Sequence, residues 1–228
     1  MNALELYAKI EPMIGFYEEY EKLYDIYIDI LKSLKIKKVL DIGCGNGRML
    51  VKLKNEKFEA LGIERSSKMV KNSLEKGVNA KKIDLCDVKG EFDALIGVGD
   101  VFNYMDEKEL KSFFECSKRV LKKGGFFIGD INTLFGFEEI TQGVMIKEQK
   151  ERFLAIEALF EDEKLYTDIF LFEKNNNCYK KEYARIVQYF YSSKRIEKLS
   201  RYTLWNKKEI KLFSDIKSDK EILILKNV

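Results

Sequence analysis

The sequence predicts an α/β fold, with a Rossmann-like, mostly parallel sheet, helices on both faces and an antiparallel β insert after strand five. Three observations support this. Short apolar runs alternate with helix-like stretches from residue 38 onward, a glycine-rich turn follows the first run, and strand-like alternation begins near residue 143. Because ligands on parallel sheets bind at the carboxyl ends of the strands, a ligand site is expected there.

Composition narrows the classes of function. The chain has 228 residues, a net charge of +3 from 41 basic and 38 acidic side chains, four cysteines and no histidine. The even charge balance predicts neither a nucleic-acid nor a membrane partner, and no apolar run approaches the roughly 20 residues that cross a bilayer. Without histidine, Ser-His and Cys-His nucleophiles and His-ligated metals are excluded, and no metal is expected. The scattered cysteines and the lack of a signal peptide predict reduced thiols and a cytoplasmic location.

Residues 1–35 are rich in tyrosine and acidic residues, and their apolar side chains recur at helical spacing. Pro12 is expected to divide this region into two helices. The simplest interpretation is an amphipathic cover for the sheet, and the alternative is a lid over the ligand. Tyr17, Tyr20 and Tyr24 are the candidates for contacting it.

The glycine loop is the strongest motif of the chain. Residues 41–47 read DIGCGNG between the first apolar run and a helix-like stretch. Gly43 and Gly45 allow a tight turn and close approach of a ligand, and the helix start offers backbone N–H groups. Arg48 occupies the position of the third glycine in a dinucleotide loop, and no Gly-Lys-Ser/Thr ending of a P-loop follows.

Five motifs in order resemble class I S-adenosylmethionine (SAM)-dependent methyltransferases over roughly residues 37–132. The motifs are DxGxGxG at 41–47, acid-x-S-x-x-M at 64–69, Asp84-Leu85 after the third strand, Phe92-Asp93 at the start of the fourth, and RxLKxGG at 119–125. The resemblance implies SAM as the cofactor and S-adenosylhomocysteine (SAH) as its product. It implies a carboxylate, Glu64, for the ribose hydroxyls about 20 residues past the glycines. It also implies that Asp84 and the backbone of Leu85 meet the adenine.

The resemblance assigns two sets of candidate site residues. The cofactor-binding candidates are Asp41, Gly43, Cys44, Gly45, Glu64, Arg65, Met69, Asp84, Leu85, Val98 and Tyr24. The candidates that face the methyl group and the substrate are Asp100, Tyr104 and Asp130. For Asp100 the alternative is an ordinary helix cap, and for Asp41 it is orientation of the glycine loop.

Four segments are predicted: an N-terminal helical lid at 1–35, the SAM-binding core at 36–142, a substrate-covering β insert at 143–200, and a C-terminal helix and last strand at 201–228. Two strand-like runs around the asparagines at 175–177 predict a hairpin in the insert. The tyrosine-rich face of its second strand suggests a substrate platform, a homodimer surface or internal packing. A short helix is expected from Trp205 to Phe213, with the sixth strand trimmed.

The predicted activity is that of a SAM-dependent methyltransferase (EC 2.1.1.-) acting on a small molecule. An amine acceptor fits best, because it needs only to arrive neutral, whereas a hydroxyl would need Asp100, Asp130 or a tyrosine as base. An RNA or protein methyltransferase on the same core is one alternative, and a non-catalytic SAM-binding protein is another. A dehydrogenase is the least favoured.

Overall fold

A computed structural model describes residues 3–228. The helices are α1 (Ala3–Ile14), α2 (Tyr17–Ser33), α3 (Arg48–Asn55), α4 (Ser67–Glu75), α5 (Glu107–Val120) and α6 (Ser193–Ser200). The strands are β1 (Lys38–Ile42), β2 (Glu59–Glu64), β3 (Ala80–Lys82), β4 (Phe92–Gly97), β5 (Leu121–Asn132), β6 (Gly143–Gln149), β7 (Arg152–Glu161), β8 (Lys164–Asn175), β9 (Cys178–Tyr189), β10 (Thr203–Ile210) and β11 (Lys220–Lys226).

Seven strands form the main sheet in the order β10-β11-β5-β4-β1-β2-β3. The strands from β1 to β5 run parallel, and β11 is antiparallel to both β5 and β10. The central strands β1 and β4 are almost wholly buried, as their predominantly apolar sequences require. The predicted fold class is therefore confirmed.

Helices cover both faces of this sheet. Apolar residues of α2 and α3 pack on one face, and those of α5 and α6 pack on the other. The second sheet, in the order β6-β7-β8-β9, is antiparallel throughout. Its inner face packs against α1 through Leu6, Ile10 and Met13. The predicted hairpin is present as β8 and β9, and β6 and β7 extend it to four strands.

The N-terminal region forms two helices, but Pro12 does not separate them. Pro12 lies within the last turn of α1, and the chain turns at Gly15 and Phe16, which have φ angles of 87° and 63°. Proline lacks the N–H that would donate to the carbonyl four residues earlier, so it disturbs the turn that precedes it. The residues after Pro12 can still complete the last turn of α1. The break therefore comes at the glycine, which adopts left-handed angles without strain.

The C-terminal helix predicted at Trp205–Phe213 is wrong, because residues 203–210 form β10 and complete the main sheet. The expectation of a trimmed sixth strand is wrong for the same reason. Strand β10 pairs with β11 over its whole length, with a bulge near Leu204. As an edge strand it is largely exposed and carries Lys207, Lys208 and Glu209 in succession, so its sequence lacks the apolar alternation of a half-buried strand.

The prediction of reduced cysteines is wrong for two of the four. Cys86 and Cys116 form a disulfide that joins the turn after β3 to α5. Cys44 is a buried free thiol and Cys178 an exposed one. The cytoplasmic location inferred partly from reduced thiols stays a prediction.

Candidate functional site

The glycine loop after β1 leaves open space above its backbone. Gly43 and Gly45 have φ angles of 72° and 52°, and a Cβ built on Gly45 would meet nothing within 4 Å. The backbone N–H groups of Gly43 and Cys44 both donate to Ile63 O, at 2.9 and 3.1 Å. The loop thus offers space for a ligand, but its Gly43 and Cys44 N–H groups are already bonded within the protein. The motif alone suggests that such N–H groups are free for a ligand.

Glu64, at the end of β2, ties the loop to the next turn. Its Oε2 accepts the Gly45 N–H at 3.2 Å, and its Oε1 accepts the N–H groups of Arg65 and Ser66, each at 2.8 Å. A carboxylate has about four acceptor positions, so about one remains for a ligand hydroxyl. Glu64 therefore fixes the loop and keeps capacity to accept one further hydrogen bond.

Asp84 follows β3 on the same edge of the sheet. Its Oδ1 accepts the Cys86 N–H at 3.1 Å, and its Oδ2 lies 2.8 Å from an Arg65 guanidinium nitrogen. Partial burial opposes ionisation, but the Cys86 N–H and Arg65 outweigh it and hold the pKa of Asp84 below its ordinary value. Leu85 next to it is buried in the core. Arg65, a predicted cofactor residue, thus reaches Asp84 across the turn.

Asp41 carries the clearest sign of a ligand-binding position. Its side chain is buried, and its Oδ2 has no hydrogen-bond partner. Burial, together with the negative charge of Glu64, raises the pKa of Asp41 to about 7. A buried carboxylate without a partner is costly, so this atom calls for a cationic or hydrogen-bond-donating ligand.

The remaining predicted cofactor residues lie around the same loop with different surroundings. Met69 is buried in α4, where its N–H donates to Ser66 Oγ at 3.3 Å. Val98 is half-buried against the apolar cluster beneath α2. Tyr24 of α2 lies close enough to Asp41 for that carboxylate to help burial raise the pKa of the phenol. Cys44 packs its sulfur against Gly62, where a Cβ would come within 2.7 Å of it.

A buried charge cluster, consisting of Asp100, Asp130 and Lys220, lies after β4 and beside the end of β5. Lys220 Nζ contacts Asp100 Oδ1 and lies 3.1 Å from Asp130 Oδ2. Although burial opposes it, the two carboxylates hold the pKa of Lys220 above its ordinary value. The lysine is only 1% exposed, and nothing in its local sequence marked it as a site residue.

Within this cluster, Asp130 accepts hydrogen bonds from the backbone of the turn after β4. It is 0% exposed, and it accepts the Tyr27 hydroxyl at 2.8 Å and the N–H groups of Gly99 and Asp100 at 2.8 and 3.1 Å. These donors and Lys220 outweigh burial and lower its pKa. Its predicted contact with the substrate stays a prediction, and the geometry favours a positioning role.

Asp100 is the member of the charge cluster that solvent reaches, with a side chain 13% exposed. Burial, opposed by Lys220 and aided by Asp130, raises its pKa to about 6. Its backbone has a φ angle of 65°, and no side-chain cap bond to the following turn is present. The helix-cap interpretation is therefore not supported.

A tyrosine cluster, consisting of Tyr7, Tyr20 and Tyr104, surrounds Asp100. Tyr20 packs on Gly99, where a Cβ would lie 3.4 Å from its ring, and Tyr7 and Tyr104 lie near the Asp100 carboxylate. Burial, then Glu11 and Asp100, raise the pKa of Tyr7 to about 12. These phenols are thus hydrogen-bond donors rather than bases near neutral pH. Tyr104 remains 41% exposed, so solvent enters beside it.

Helix α1 connects the insert with the cofactor side of the site. Lys9 Nζ lies 2.7 Å from Glu182 of β9, while Glu11 accepts the Asn46 side-chain amide of the glycine loop at 3.1 Å. Glu5 accepts the Ser67 N–H at the start of α4 at 2.9 Å. Any movement of α1 would therefore change both the insert contacts and the loop contacts.

The arrangement fits SAM. The partnerless Asp41 oxygen suits its cationic amino group, the open glycine loop leaves space for its amino-acid part, and Glu64 and Asp84 occupy successive strand ends where ribose and adenine would follow. Within residues 3–228 no group of three or more side chains is placed to hold a metal ion. In the same range no helix is both long and apolar enough to span a membrane.

Comparison with known proteins supports this interpretation. Residues 39–125 match the family model described as a methyltransferase domain. YqeM of Bacillus subtilis is 26% identical over 153 residues, which are 60% of this chain and 62% of YqeM. The chain thus spans about three fifths of that relative and half of a Geobacillus relative.

Solved structures show the same fold over nearly the whole chain. A SAM-dependent methyltransferase from Clostridium acetobutylicum has a TM-score of 0.75 at 22% identity, covering 97% of this chain and 96% of its own. The sugar N-methyltransferase KedS8 from Streptoalloteichus has a TM-score of 0.72 at 14% identity, covering 98% and 92%. Residues 39–125 thus match a methyltransferase domain, and the motifs and the fold around them are similar to those of the class I SAM-dependent methyltransferases, whose cofactor is S-adenosylmethionine.

Proposed function

We propose that the chain transfers a methyl group from SAM to an amine nitrogen of a small molecule and releases SAH. The observation that carries the choice of acceptor is Asp100, a solvent-reached carboxylate enclosed by the tyrosine cluster in a chain without histidine. The N-methyltransferase KedS8, which shares the fold, supports the same choice.

The chain's own residues would hold the cofactor and orient the acceptor. Asp41 and the glycine loop would hold the amino-acid part of SAM, and Glu64 and Asp84 its nucleoside. When bound, SAM supplies a methyl group on a sulfonium, which is already an activated electrophile. The protein then contributes mainly alignment, because holding two reactants in line removes much of the entropic barrier.

Asp100 would hold the acceptor amine and receive the proton that the amine loses. An ionised carboxylate accepts a hydrogen bond from the N–H of the neutral amine, and aromatic rings beside it stabilise the ammonium that forms on methylation. The tyrosines stay protonated and act as donors. A hydroxyl acceptor is less suited, because a carboxylate whose pKa is about 6 is a weak base toward an alcohol.

The cofactor part of the proposal predicts that Glu64→Ala weakens SAM binding roughly 10- to 150-fold, because hydrogen bonds to a charged group contribute about 1.5–3 kcal/mol. The alanine frees the N–H groups of Gly45, Arg65 and Ser66 and so releases the loop. Calorimetric titration with SAM and with SAH measures the change.

Glu59→Ala is the matched control for this titration. Glu59 begins the same strand, but its side chain is 73% exposed and pairs only with Lys38 at 3.4 Å. Equal affinities for the two variants would show that Glu64 has no special part in the site. Absence of SAM binding by the folded wild-type protein would overturn the proposed function itself.

The acceptor part predicts a pH dependence. Turnover at limiting amine concentration, divided by the neutral fraction of the amine at each pH, should rise through about pH 6 as Asp100 ionises, and Asp100→Asn should remove this rise and lower the rate about 100-fold or more. SAH release from matched pairs of small amines and alcohols measures both the rate and the acceptor class.

Asp29→Asn, on the exposed side of α2, is the control for a general effect of losing one negative charge. If Asp100→Asn keeps both the rate and the rise near pH 6, Asp100 does not handle the amine. Faster turnover of alcohols than of their matched amines would contradict N-methylation while leaving SAM-dependent methyl transfer intact.

A further inference from the structure

The insert has an apolar outer face that faces away from α1. Alternate residues of β6 to β9 point to that side, and several large ones are exposed: Val144 is 71% exposed, Ile146 60%, Leu159 56% and Tyr183 47%. The hydrophobic cluster that α1 forms with the insert contains the residues of the inner face. Large exposed apolar patches mark interaction surfaces.

Strand register arranges this face in rows. Ile146, Ala155, Phe170 and Tyr183 lie side by side across the four strands. The neighbouring row is Glu148, Phe153, Phe172 and Lys181. The row on the other side is Val144, Glu157, Asp168 and Arg185. The middle of the face is therefore aromatic and aliphatic.

The charges on this face divide between its two edges. Glu148 and Glu157 lie on β6 and β7, whereas Lys181 and Arg185 lie on β9. Asp168 on β8 already pairs with Arg185, at 2.6 Å. In the row of Glu148 and Lys181 the β6 edge is therefore acidic and the β9 edge basic, an arrangement that a second identical face can complement.

We propose that two copies of the chain associate through this outer face, about a two-fold axis that runs along the strands. Such an axis places β6 and β7 of one copy over β9 and β8 of the other. Glu148 then lies opposite Lys181 of the second copy, and Phe153 opposite Phe172, each pair occurring twice. Glu157 lies opposite Asp168, whose charge is offset by its ion pair with Arg185. The two sheets would stack about 10 Å apart as in a β-sandwich.

The size of the face is sufficient for a stable pair. Four strands spaced about 4.8 Å apart and about 10 residues long cover a footprint of about 600 Å². The side chains project from this plane and add to the accessible surface that is buried. A standard interface buries about 800 Å² per partner. Pairing through the free edge of β6 is less suited, because Lys147 and Glu148 are exposed there and charged edge strands resist strand addition.

The first test is the mass of the full chain in solution, by sedimentation or light scattering at micromolar concentrations. We expect a dimer for the wild type, a monomer for Ile146→Lys, and a dimer for the control Ile216→Lys. Ile216 is 87% exposed and lies outside the insert. A wild-type monomer, or an Ile146→Lys dimer, would overturn the proposal.

The second test addresses the orientation. Glu148→Lys and Lys181→Glu should each weaken the dimer about fivefold or more, since each places like charges opposite one another at two symmetric positions. The double exchange should restore the wild-type dissociation constant. If the double variant is weaker than both single variants, the proposed face-to-face arrangement is wrong. Both variants lie on exposed strand positions, and circular dichroism checks that the fold is kept.

Discussion

Replacing Lys220 with methionine is expected to lower the free energy of unfolding by about 3–5 kcal/mol near pH 8, the usual cost of breaking a buried ion pair by removing one partner. Lys220 is the cation that lies against both Asp100 and Asp130. Methionine fills a similar volume, so the loss arises from two buried carboxylates rather than from a cavity. Denaturant unfolding measures it.

The loss of stability in Lys220→Met should increase as the pH rises. In the wild type the pKa of Asp130 is lowered, so its contribution to stability is present above the ordinary aspartate pKa of about 3.9 and is lost as the pH falls through the lower folded value. Without Lys220, burial raises the pKa of both carboxylates. Their penalty then grows as the pH rises from about 4, so the variant should be closest to the wild type in acid.

Lys207→Met provides the matched control. Lys207 also pairs with a carboxylate, Glu221 at 2.9 Å, but its side chain is 43% exposed, and surface pairs contribute about 0–1 kcal/mol. Adding Asp100→Asn to Lys220→Met should recover part of the loss, because it removes one unpaired charge. An equal, pH-independent effect of Lys220→Met and Lys207→Met would mean that the buried cluster adds no stability of its own.

The contrast between Glu64 and Lys220 shows what the sequence could predict. Glu64 lies in a local pattern, an apolar strand that ends on an acid about 20 residues after a glycine loop, and each part of that pattern has a physical cause. Lys220 has no such context, since its partners lie 90 and 120 residues away. Only the antiparallel register, which pairs Lys220 with Asn132, brings it beside Asp130.

Tyr27 and β10 were missed for related reasons. The tyrosine spacing in α2 predicted an amphipathic face, but not that Tyr27 would donate to Asp130 at 2.8 Å across the sheet. Residues 205–210 contain three charged side chains and so have good helix propensity. Pairing with β11 overrides that preference, because tertiary hydrogen bonds decide the structure of an exposed edge strand.

Breaking the disulfide between Cys86 and Cys116 is expected to destabilise the protein by about 3–4 kcal/mol, the chain-entropy value for a loop of this length. The bond closes a separation of 30 residues. At about 2–4 °C for each kcal/mol, the melting temperature should fall by roughly 6–16 °C, both in Cys86→Ala and in the wild type under a reducing agent. Thermal unfolding with and without reductant measures it.

The controls separate the bond from the loss of a side chain. Cys178→Ala, at an exposed free thiol, should behave as the wild type, and reductant should have no further effect on Cys86→Ala. Thiol titration of the unfolded chain should count two free thiols before reduction and four after, whereas four before reduction would mean that the bond does not form. Cys86 also donates its N–H to Asp84. Reduction of the disulfide removes the covalent link between α5 and the turn that carries Asp84 and Leu85. The same reduction should therefore weaken SAM binding, because the ligand would have to order this turn.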